Sequence, residues 1–264
     1  MFSNLINALI ENSDPFSEMR EELSLIAQYF RENPPVLVVG SGAMFYLPAF
    51  WRDPIQKEIF KSKNYFDIEE LRNLDQYLPE DAVILDVGAN IGNHSLYWGV
   101  ERDARQIHAF EPAESRFAVL EKIIEGNQLQ DCVTLHNIGL ASEAGTASPV
   151  PGKKRHGGSP RLRKDAAGTI PLVPLDDLDL KLEALDLIKI DIEGFEVDTL
   201  AGARKSLEKF KPVICVRAVG MALPKVDQFL EEFDYLRREN IGWSTYIYTP
   251  NERTAVEKTA EAAE

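Results

Sequence analysis

An acidic residue and a glycine-rich turn lie together at residues 86–92, Asp-Val-Gly-Ala-Asn-Ile-Gly. The glycines let a ligand approach the backbone, and the helix predicted to follow offers unpaired N–H groups in its first turn. The Asp86 carboxylate is expected to face the ligand, where it would attract a cation and repel a diphosphate. Helix capping by the two asparagines is compatible with ligand contact. The expected cofactor-binding residues of this segment are Asp86, Gly88, Ala89, Asn90, Gly92 and Asn93.

Polar residues also end three further predicted strands. Glu111 ends the second strand, Asn137 ends the third, and Asp191 and Glu193 lie at the end of the fourth. Because the carboxyl ends of parallel strands face one crevice, these side chains are expected around a single site. Glu111 is placed to accept hydrogen bonds from a ribose diol, and Asn137 is either an adenine contact or an ordinary turn residue. Asp191 and Glu193 are candidates for proton transfer or, alternatively, for capping the next helix.

Lys189 precedes these carboxylates within the fourth strand. A lysine in a central strand is expected to be paired or to extend its ammonium to solvent, and a catalytic role is the weaker interpretation.

The turn differs from a dinucleotide-binding loop. A G-x-G-x-x-G fingerprint starting at Gly88 would need two further glycines, at positions where this chain has asparagine. Gly40 and Gly42 match the first two positions of the same fingerprint, but Phe45 occupies the third. The region around Gly40 therefore predicts a β-hairpin, with strands at 36–39 and 44–47.

Strands and helices alternate from residue 82 onward. This alternation predicts an α/β fold with a mostly parallel sheet and helices on both faces. The predicted strands are 83–87, 106–111, 133–137, 185–192, 213–216 and 245–248. The predicted helices are 67–78, 112–125, one that carries Val197 to Phe210, and 224–233. The expected domains are a helical and hairpin extension at 1–66, a main domain at 67–250 with an inserted hairpin at 138–175, and a flexible tail at 251–264.

Two segments outside this alternation carry distinct patterns. Residues 1–32 contain two helical apolar stripes, which are expected to pack on the main domain or on a second subunit. The stripes are Leu5, Ile6, Leu9 and Ile10, then Met19, Leu23, Ile26 and Phe30. The insertion holds a basic run at 153–164 that includes His156. This run is either a solvated, mobile loop or a lid over an anionic substrate, hinged at Gly157 and Gly158.

Composition argues against several classes of partner. A formal charge of −14 disfavours nucleic acids and anionic lipid surfaces, since both need a basic protein face. Hydrophobic residues make up 44%, which is enough for a large core.

Cys132 and Cys215 lie in separate strand-like runs and are expected to be core thiols. Without a membrane-spanning apolar stretch or a signal-peptide pattern, a cytoplasmic location is expected.

Three motifs in register resemble the FkbM-type S-adenosylmethionine-dependent methyltransferases. They are the turn at 86–92, Phe-Glu-Pro at 110–112, and Ile-Lys-Ile-Asp-Ile-Glu-Gly-Phe-Glu at 188–196. The resemblance covers about residues 40–217 and includes His-Gly-Gly-Ser at 156–159. It implies a Rossmann-like class I methyltransferase fold, S-adenosylmethionine as cofactor, and usually O-methylation of a hydroxyl on a small molecule or glycan. The family's fifth strand usually ends in glutamate, whereas this chain has Arg217, which reverses the charge.

Methylation of a hydroxyl needs a proton acceptor near the attacking oxygen. The candidate catalytic residues are Asp191, then Glu193 and His156. Asp191 as the anchor of a divalent ion is an alternative, although no metal site is predicted. The expected partners are a small-molecule or glycan acceptor, anionic if the basic run closes over it, and a second copy of the chain.

Two other classes of function remain open. One is a methyltransferase-fold module that binds or assembles without catalysis, which Arg217 and the acidic, helical N-terminus suggest. The other is a nicotinamide-dependent oxidoreductase, which would bind NAD and depend on Glu111 but little on Asp86.

Overall fold

Short apolar runs build the centre of the molecule, as in Val-Ile-Leu-Asp-Val at 83–87, where every residue is buried. The structure is a computed structural model that describes residues 17–40, 42–150 and 162–251. The strands of these ranges are β1 (Val36–Val39), β2 (Ala43–Tyr46), β3 (Val83–Val87), β4 (Gln106–Phe110), β5 (Val133–His136), β6 (Gly139–Leu140), β7 (Gly145–Pro149), β8 (Leu162–Lys164), β9 (Ile170–Val173), β10 (Leu187–Ile190), β11 (Val213–Arg217), β12 (Tyr235–Gly242) and β13 (Thr245–Pro250). The α-helices are α1 (Ser17–Glu32), α2 (Pro54–Ser62), α3 (Ile68–Asp75), α4 (Asn93–Glu101), α5 (Glu114–Gly126), α6 (Glu196–Ala201), α7 (Arg204–Phe210) and α8 (Ala222–Glu231).

A seven-stranded sheet runs through the molecule in the order β12-β13-β11-β10-β3-β4-β5. The five strands from β11 to β5 are parallel, while β13 runs antiparallel to both β11 and β12. The chain moves from β3 outward to β4 and β5, then returns to β10 on the other side of β3. A sheet of this kind binds its ligand outside the carboxyl ends of the strands where the order reverses. The carboxyl ends of β3 and β10 are therefore the place where a ligand site is expected.

Helices cover both faces of the sheet, as predicted, because alternate strand residues point to opposite sides. On one face, Ile84 and Leu187 pack with Leu96 of α4 and Leu120 of α5. On the other, Leu85 and Ile188 pack with Leu200 of α6, Leu207 of α7 and Leu230 of α8. The result is a Rossmann-like α/β fold.

The predicted hairpin is confirmed, since β1 pairs antiparallel with β2. Phe45 of β2 is fully buried in the same core as Ile84, so the N-terminal extension packs directly on the sheet's helical layer. In α1, the Phe30 ring contacts Phe50 edge to face, whereas Ile26 is 52% exposed. The first apolar stripe, and the side chains of Met19 and Leu23, lie outside the described residues.

The insertion differs from the predicted hairpin. It forms a four-stranded sheet in the order β6-β9-β7-β8. The central strands β7 and β9 pair antiparallel, and the short strands β6 and β8 pair with the outer edges of β9 and β7. Residues 151–161, which hold most of the basic run and His156, lie outside the described residues.

The single helix predicted after β10 is two helices, α6 and α7, separated at Gly202. A Cβ on Gly202 would lie 2.0 Å from the Ala141 carbonyl oxygen, so close backbone packing accounts for the break.

Two further elements were not predicted. In α2 the signal was present: Asp53 caps the helix through Gln56 N at 3.0 Å, and Pro54 follows at the first helical position. The sequence gives no such signal for β12, because this polar edge strand lacks the alternation of a half-buried strand. No helix in the described part of the chain is long and apolar enough to cross a membrane.

Candidate active site

The glycine turn after β3 brings the ends of two strands into contact. Gly88 has φ +83° and Gly92 has φ +88°, a region that side chains disfavour. A Cβ on Gly88 would lie only 2.3 Å from the Asp191 carbonyl oxygen at the end of β10. Gly88 N and Ala89 N both donate to the Phe110 carbonyl oxygen, at 2.9 Å each. The turn is thus fixed by its neighbours on both sides.

Two cavities meet at this turn. The β10 cavity, of about 640 Å³, lies over β3, β10 and β11 and is lined by Asn90, His94, Lys189, Asp191 and Arg217 among others. The β4 cavity, of about 540 Å³, lies over β3, β4 and β5, and its lining includes Glu111 and Asn137. Gly88, Leu162, Ile192 and Glu193 border both. The sheet edge therefore offers two adjoining compartments that share lining residues, at the position expected for the fold.

Asp86 does not face either compartment. Its carboxylate is fully buried, with one oxygen 2.7 Å from Ser95 Oγ and the other 3.0 Å from Lys189 Nζ. The expectation that this carboxylate directly contacts a cationic ligand is therefore corrected. The ion pair with Lys189 largely cancels its charge, because the next strand places an ammonium beside it. Lys189 is the paired lysine that the sequence suggested.

Glu111 lies in the β4 cavity as predicted. It is fully buried, and its two oxygens accept hydrogen bonds from Asn90 N at 2.9 Å and Ala113 N at 2.8 Å. Burial raises the pKa of Glu111, while these backbone donors oppose the rise. Each oxygen keeps a second lone pair, so the carboxylate can still accept from a diol. Asn137 is exposed nearby and donates from Nδ2 to the Glu111 carbonyl oxygen at 2.8 Å.

The two asparagines of the turn differ. Asn93 is buried, and both of its amide atoms bond the backbone of Phe66, at 2.9 Å each. Asn90 has φ +56°, and its buried Oδ1 has no hydrogen-bond partner among the described residues. Since a buried polar atom without a partner is unfavourable, Asn90 Oδ1 is an acceptor available to a ligand.

Arg217 joins three carboxylates at the outer wall of the β10 cavity. Its Nη2 lies 2.8 Å from Asp67 Oδ2 and 3.4 Å from Glu70 Oε2, and its Nε lies 3.4 Å from Asp191 Oδ2. Burial alone would lower the pKa of Arg217, but the three carboxylates raise it. Burial also raises the pKa of Asp67 and of Glu70. The sequence did not indicate Asp67 or Glu70, because only the fold brings α3 to this edge.

The other candidates for proton transfer have separate positions. Asp191 lines the β10 cavity, and Glu193 borders both cavities and is partly buried. His94, in the first turn of α4, lines the β10 cavity and was not predicted. Its position directly after the glycine turn was the available signal. Within the described ranges, no group of three or more His, Cys, Asp or Glu side chains is arranged to hold a metal ion.

The sheet and the glycine turn at its switch point define a Rossmann-like protein with a site for a nucleotide-containing ligand. A family model described as the methyltransferase FkbM domain matches residues 86–237, more than half of the chain. The protein belongs to the FkbM methyltransferase family, as the three motifs suggested.

Named relatives agree with this assignment. The chain is 29% identical over 205 residues to methyltransferase sdnD of Sordaria araneosa, covering 64% of this chain and 76% of sdnD. It is 27% identical over 164 residues to hexuronic acid methyltransferase AglP of Haloferax volcanii, covering 61% of this chain and 66% of AglP. It thus spans about two thirds of AglP and three quarters of sdnD. A crystal structure of methyltransferase FkbM from Methylobacillus flagellatus aligns with a TM-score of 0.48 and 18% identity, over 80% of this chain and 63% of that one.

The residues at the turn fit S-adenosylmethionine. The fit rests on the unpartnered Asn90 Oδ1, the buried Glu111 carboxylate and the glycine turn, whose Gly88 borders both cavities. Amides and carboxylates are acceptors that an ammonium and a ribose diol both require. These acceptor groups are thus appropriate for a ligand that carries an ammonium and a ribose diol.

Proposed function

We propose that the protein transfers the methyl group of S-adenosylmethionine to a hydroxyl of a small molecule or glycan. The observation that carries the proposal is the pair of cavities meeting at the glycine turn, large enough together for a nucleoside-containing donor and an acceptor. The name of AglP, a hexuronic acid methyltransferase, supports a sugar-like acceptor.

The two cavities suggest a division of the ligand. In the β4 cavity, Glu111 would hold the ribose and Asn137 would lie beside the base. In the β10 cavity, Asn90 and the backbone of Gly88, Ala89 and Gly92 would hold the amino-acid end, with the acceptor beyond it. Asp86 and Asn93 act in this scheme as positioning residues, because their polar atoms already bond Lys189, Ser95 and Phe66.

The donor supplies a methyl group on a good leaving group, so the protein's task is alignment and exclusion of water. Apolar side chains at the β10 cavity, including Ile55, Phe66, Val219 and Trp243, would exclude water around the acceptor. Asp191 and Glu193 would orient the acceptor hydroxyl from the end of β10.

An anionic acceptor remains part of the proposal through the basic run at 153–164. Of its two described members, Lys164 Nζ bonds Asp198 at 3.0 Å, whereas the Arg163 side chain is 74% exposed beside Asp165. Arg163 is therefore the described residue of this run that would meet an anionic group.

Isothermal titration of the full chain with S-adenosylmethionine tests the proposal. Micromolar or tighter binding is expected for wild type, with no comparable binding of NAD. Glu111→Ala should weaken binding about 10- to 100-fold, because a charge-assisted hydrogen bond contributes about 1.5–3 kcal/mol. Glu121→Ala, on the exposed side of α5, is the matched control and should bind like wild type. Failure of folded wild type to bind S-adenosylmethionine would refute the proposal.

The Arg217 cluster favours one alternative, a methyltransferase fold that binds cofactor without transferring methyl. An arginine that forms ion pairs with three carboxylates occupies the end of β11 beside the proposed acceptor space. Incubation with methyl-tritiated S-adenosylmethionine and a panel of glycosides, uronic acids and phenols distinguishes the methyltransferase from the non-catalytic alternative. Binding of the donor with no labelled product would support the alternative.

A further inference from the structure

The histidines of the described residues fall into two groups. His108 Nδ1 and His136 Nε2 lie 3.0 Å apart, and His108 Nε2 lies 3.0 Å from Gln106 Nε2. His94, by contrast, has no hydrogen-bond partner for either ring nitrogen within the described ranges. It is also the histidine among them that lines the β10 cavity. A ring nitrogen left without a partner at a cavity wall is available to a ligand.

The position of His94 is fixed by the turn that would hold the donor. It follows Asn93, which is held by two hydrogen bonds to the Phe66 backbone. Its ring lies 5.8 Å from the ring of the fully buried Trp98, one turn further along α4. The imidazole is thus supported from behind, on a helix that begins at the site.

The surroundings of His94 keep it uncharged. Burial lowers its pKa well below the usual value, Lys189 and Arg217 lower it further, and Asp191 opposes them. A neutral imidazole has a free lone pair at neutral pH. The nearby carboxylates are less available, since Asp191 lies against Arg217 and Asp86 bonds Lys189 and Ser95. A base for a hydroxyl proton must be unprotonated and within reach of the acceptor.

We infer that His94 is the catalytic base that takes the proton of the acceptor hydroxyl, and that Asp191 is a positioning residue beside it. The inference rests on the proposed function. As the acceptor oxygen bonds the methyl carbon, the carbon–sulfur bond breaks with its electron pair on sulfur, and the hydroxyl proton moves to a ring nitrogen of His94. One positive charge disappears at sulfur while one appears on the imidazole, so the net charge of the cavity is unchanged. Asp191 then stabilises the imidazolium.

The first test needs no acceptor. Full-length protein saturated with S-adenosylhomocysteine is treated with diethyl pyrocarbonate at pH 7, and modified histidines are mapped by mass spectrometry. His94 is expected to react with this product bound, because its ring lines the cavity in which the acceptor is proposed to bind, while hydrogen-bonded His108 reacts slowly. Complete protection of His94 by the product would overturn the inference, because the ring would then be a cofactor contact.

The second test separates the base from a structural residue. His94→Gln should bind S-adenosylhomocysteine within threefold of wild type by titration calorimetry, yet its kcat with a hydroxyl acceptor such as a methyl glycoside should fall at least about 100-fold. With a carboxylate acceptor such as a methyl glucuronoside, which has no proton to lose, the fall should be less than tenfold. Added imidazole should restore part of the rate to His94→Gly.

His136→Gln is the matched control and should transfer like wild type. A kcat within threefold of wild type for His94→Gln, with a hydroxyl acceptor, would overturn the role of His94 and leave the proposed function intact. Failure of the wild-type protein to bind S-adenosylmethionine would instead overturn the proposed function.

Discussion

The two cavities at the sheet edge are built differently. In the β4 cavity the Glu111 carboxylate is bonded by backbone amides of residues close to it along the chain or on the adjacent turn. On the β10 side, two cations that line the cavity each pair with a carboxylate from a distant segment: Lys189 with Asp86, and Arg217 with Asp67. Backbone amides stay in place when a side chain is replaced. Replacing one member of an ion pair, by contrast, leaves the other charge without its partner. The β10 side should therefore be more sensitive to single substitutions.

The largest effect is expected at the Asp86–Lys189 pair. Asp86→Ala or Lys189→Met alone should lower the free energy of unfolding by about 3–5 kcal/mol, because a buried charge is left without its partner. The double variant should regain most of that loss. Urea denaturation of the four proteins measures the coupling. Additive losses in the double variant would show that the pair does not act as a unit.

Arg217 should have an intermediate effect. Arg217→Gln should cost about 2 kcal/mol, because it leaves the partly buried carboxylates of Asp67, Glu70 and Asp191 facing one another. The control is Arg72→Gln on α3, the helix that carries Glu70; the partner of Arg72 is the exposed Glu69, so little change is expected. Thermal unfolding of both variants provides the comparison. Equal shifts in Tm would contradict a special role for the cluster.

The smallest effect concerns acid stability on the β4 side. Burial and His136 lower the pKa of His108 to about 4, so the folded state keeps this ring neutral. The unfolded ring binds a proton below about pH 6.5. Stability should therefore be full above that pH and decrease as the pH falls toward 4, by about 1–2 kcal/mol between pH 7 and pH 5.

His108→Leu should flatten this pH dependence, measured by urea denaturation at several pH values. Gln106→Ala removes a hydrogen bond to the same ring but no titrating group, so it should keep the wild-type slope. An unchanged slope in His108→Leu would assign the acid sensitivity to other groups.

Much of the fold was predictable because its strands are continuous apolar runs. Val83–Val87 was predicted with its exact bounds, and Val213–Arg217 within one residue. The four-stranded insertion was not predictable, because strands of two or three residues such as Leu162–Lys164 have no periodicity to detect. Polar β12 escaped detection for a related reason, since an edge strand does not need a buried face.

The candidate site was predictable only where chain neighbours build it. Gly88 and Glu111 lie where the motifs placed them, because strand ends in a parallel sheet share one edge. The buried state of Asp86 depends on Lys189, 103 residues later, whose register beside it only the sheet reveals. His94 was missed because a histidine on an apolar helix gives no sign of whether its ring has a partner.

The attachment of Phe66 to Asn93 links two parts of the protein thermodynamically. Any ligand that stabilises the turn and the first residues of α4 also favours the docked arrangement of the segment before α3, because one amide holds both. Detachment of that segment would open the cavity wall to which Phe66 contributes. Occupancy of the site and docking of the segment before α3 should consequently rise and fall together, as linkage requires.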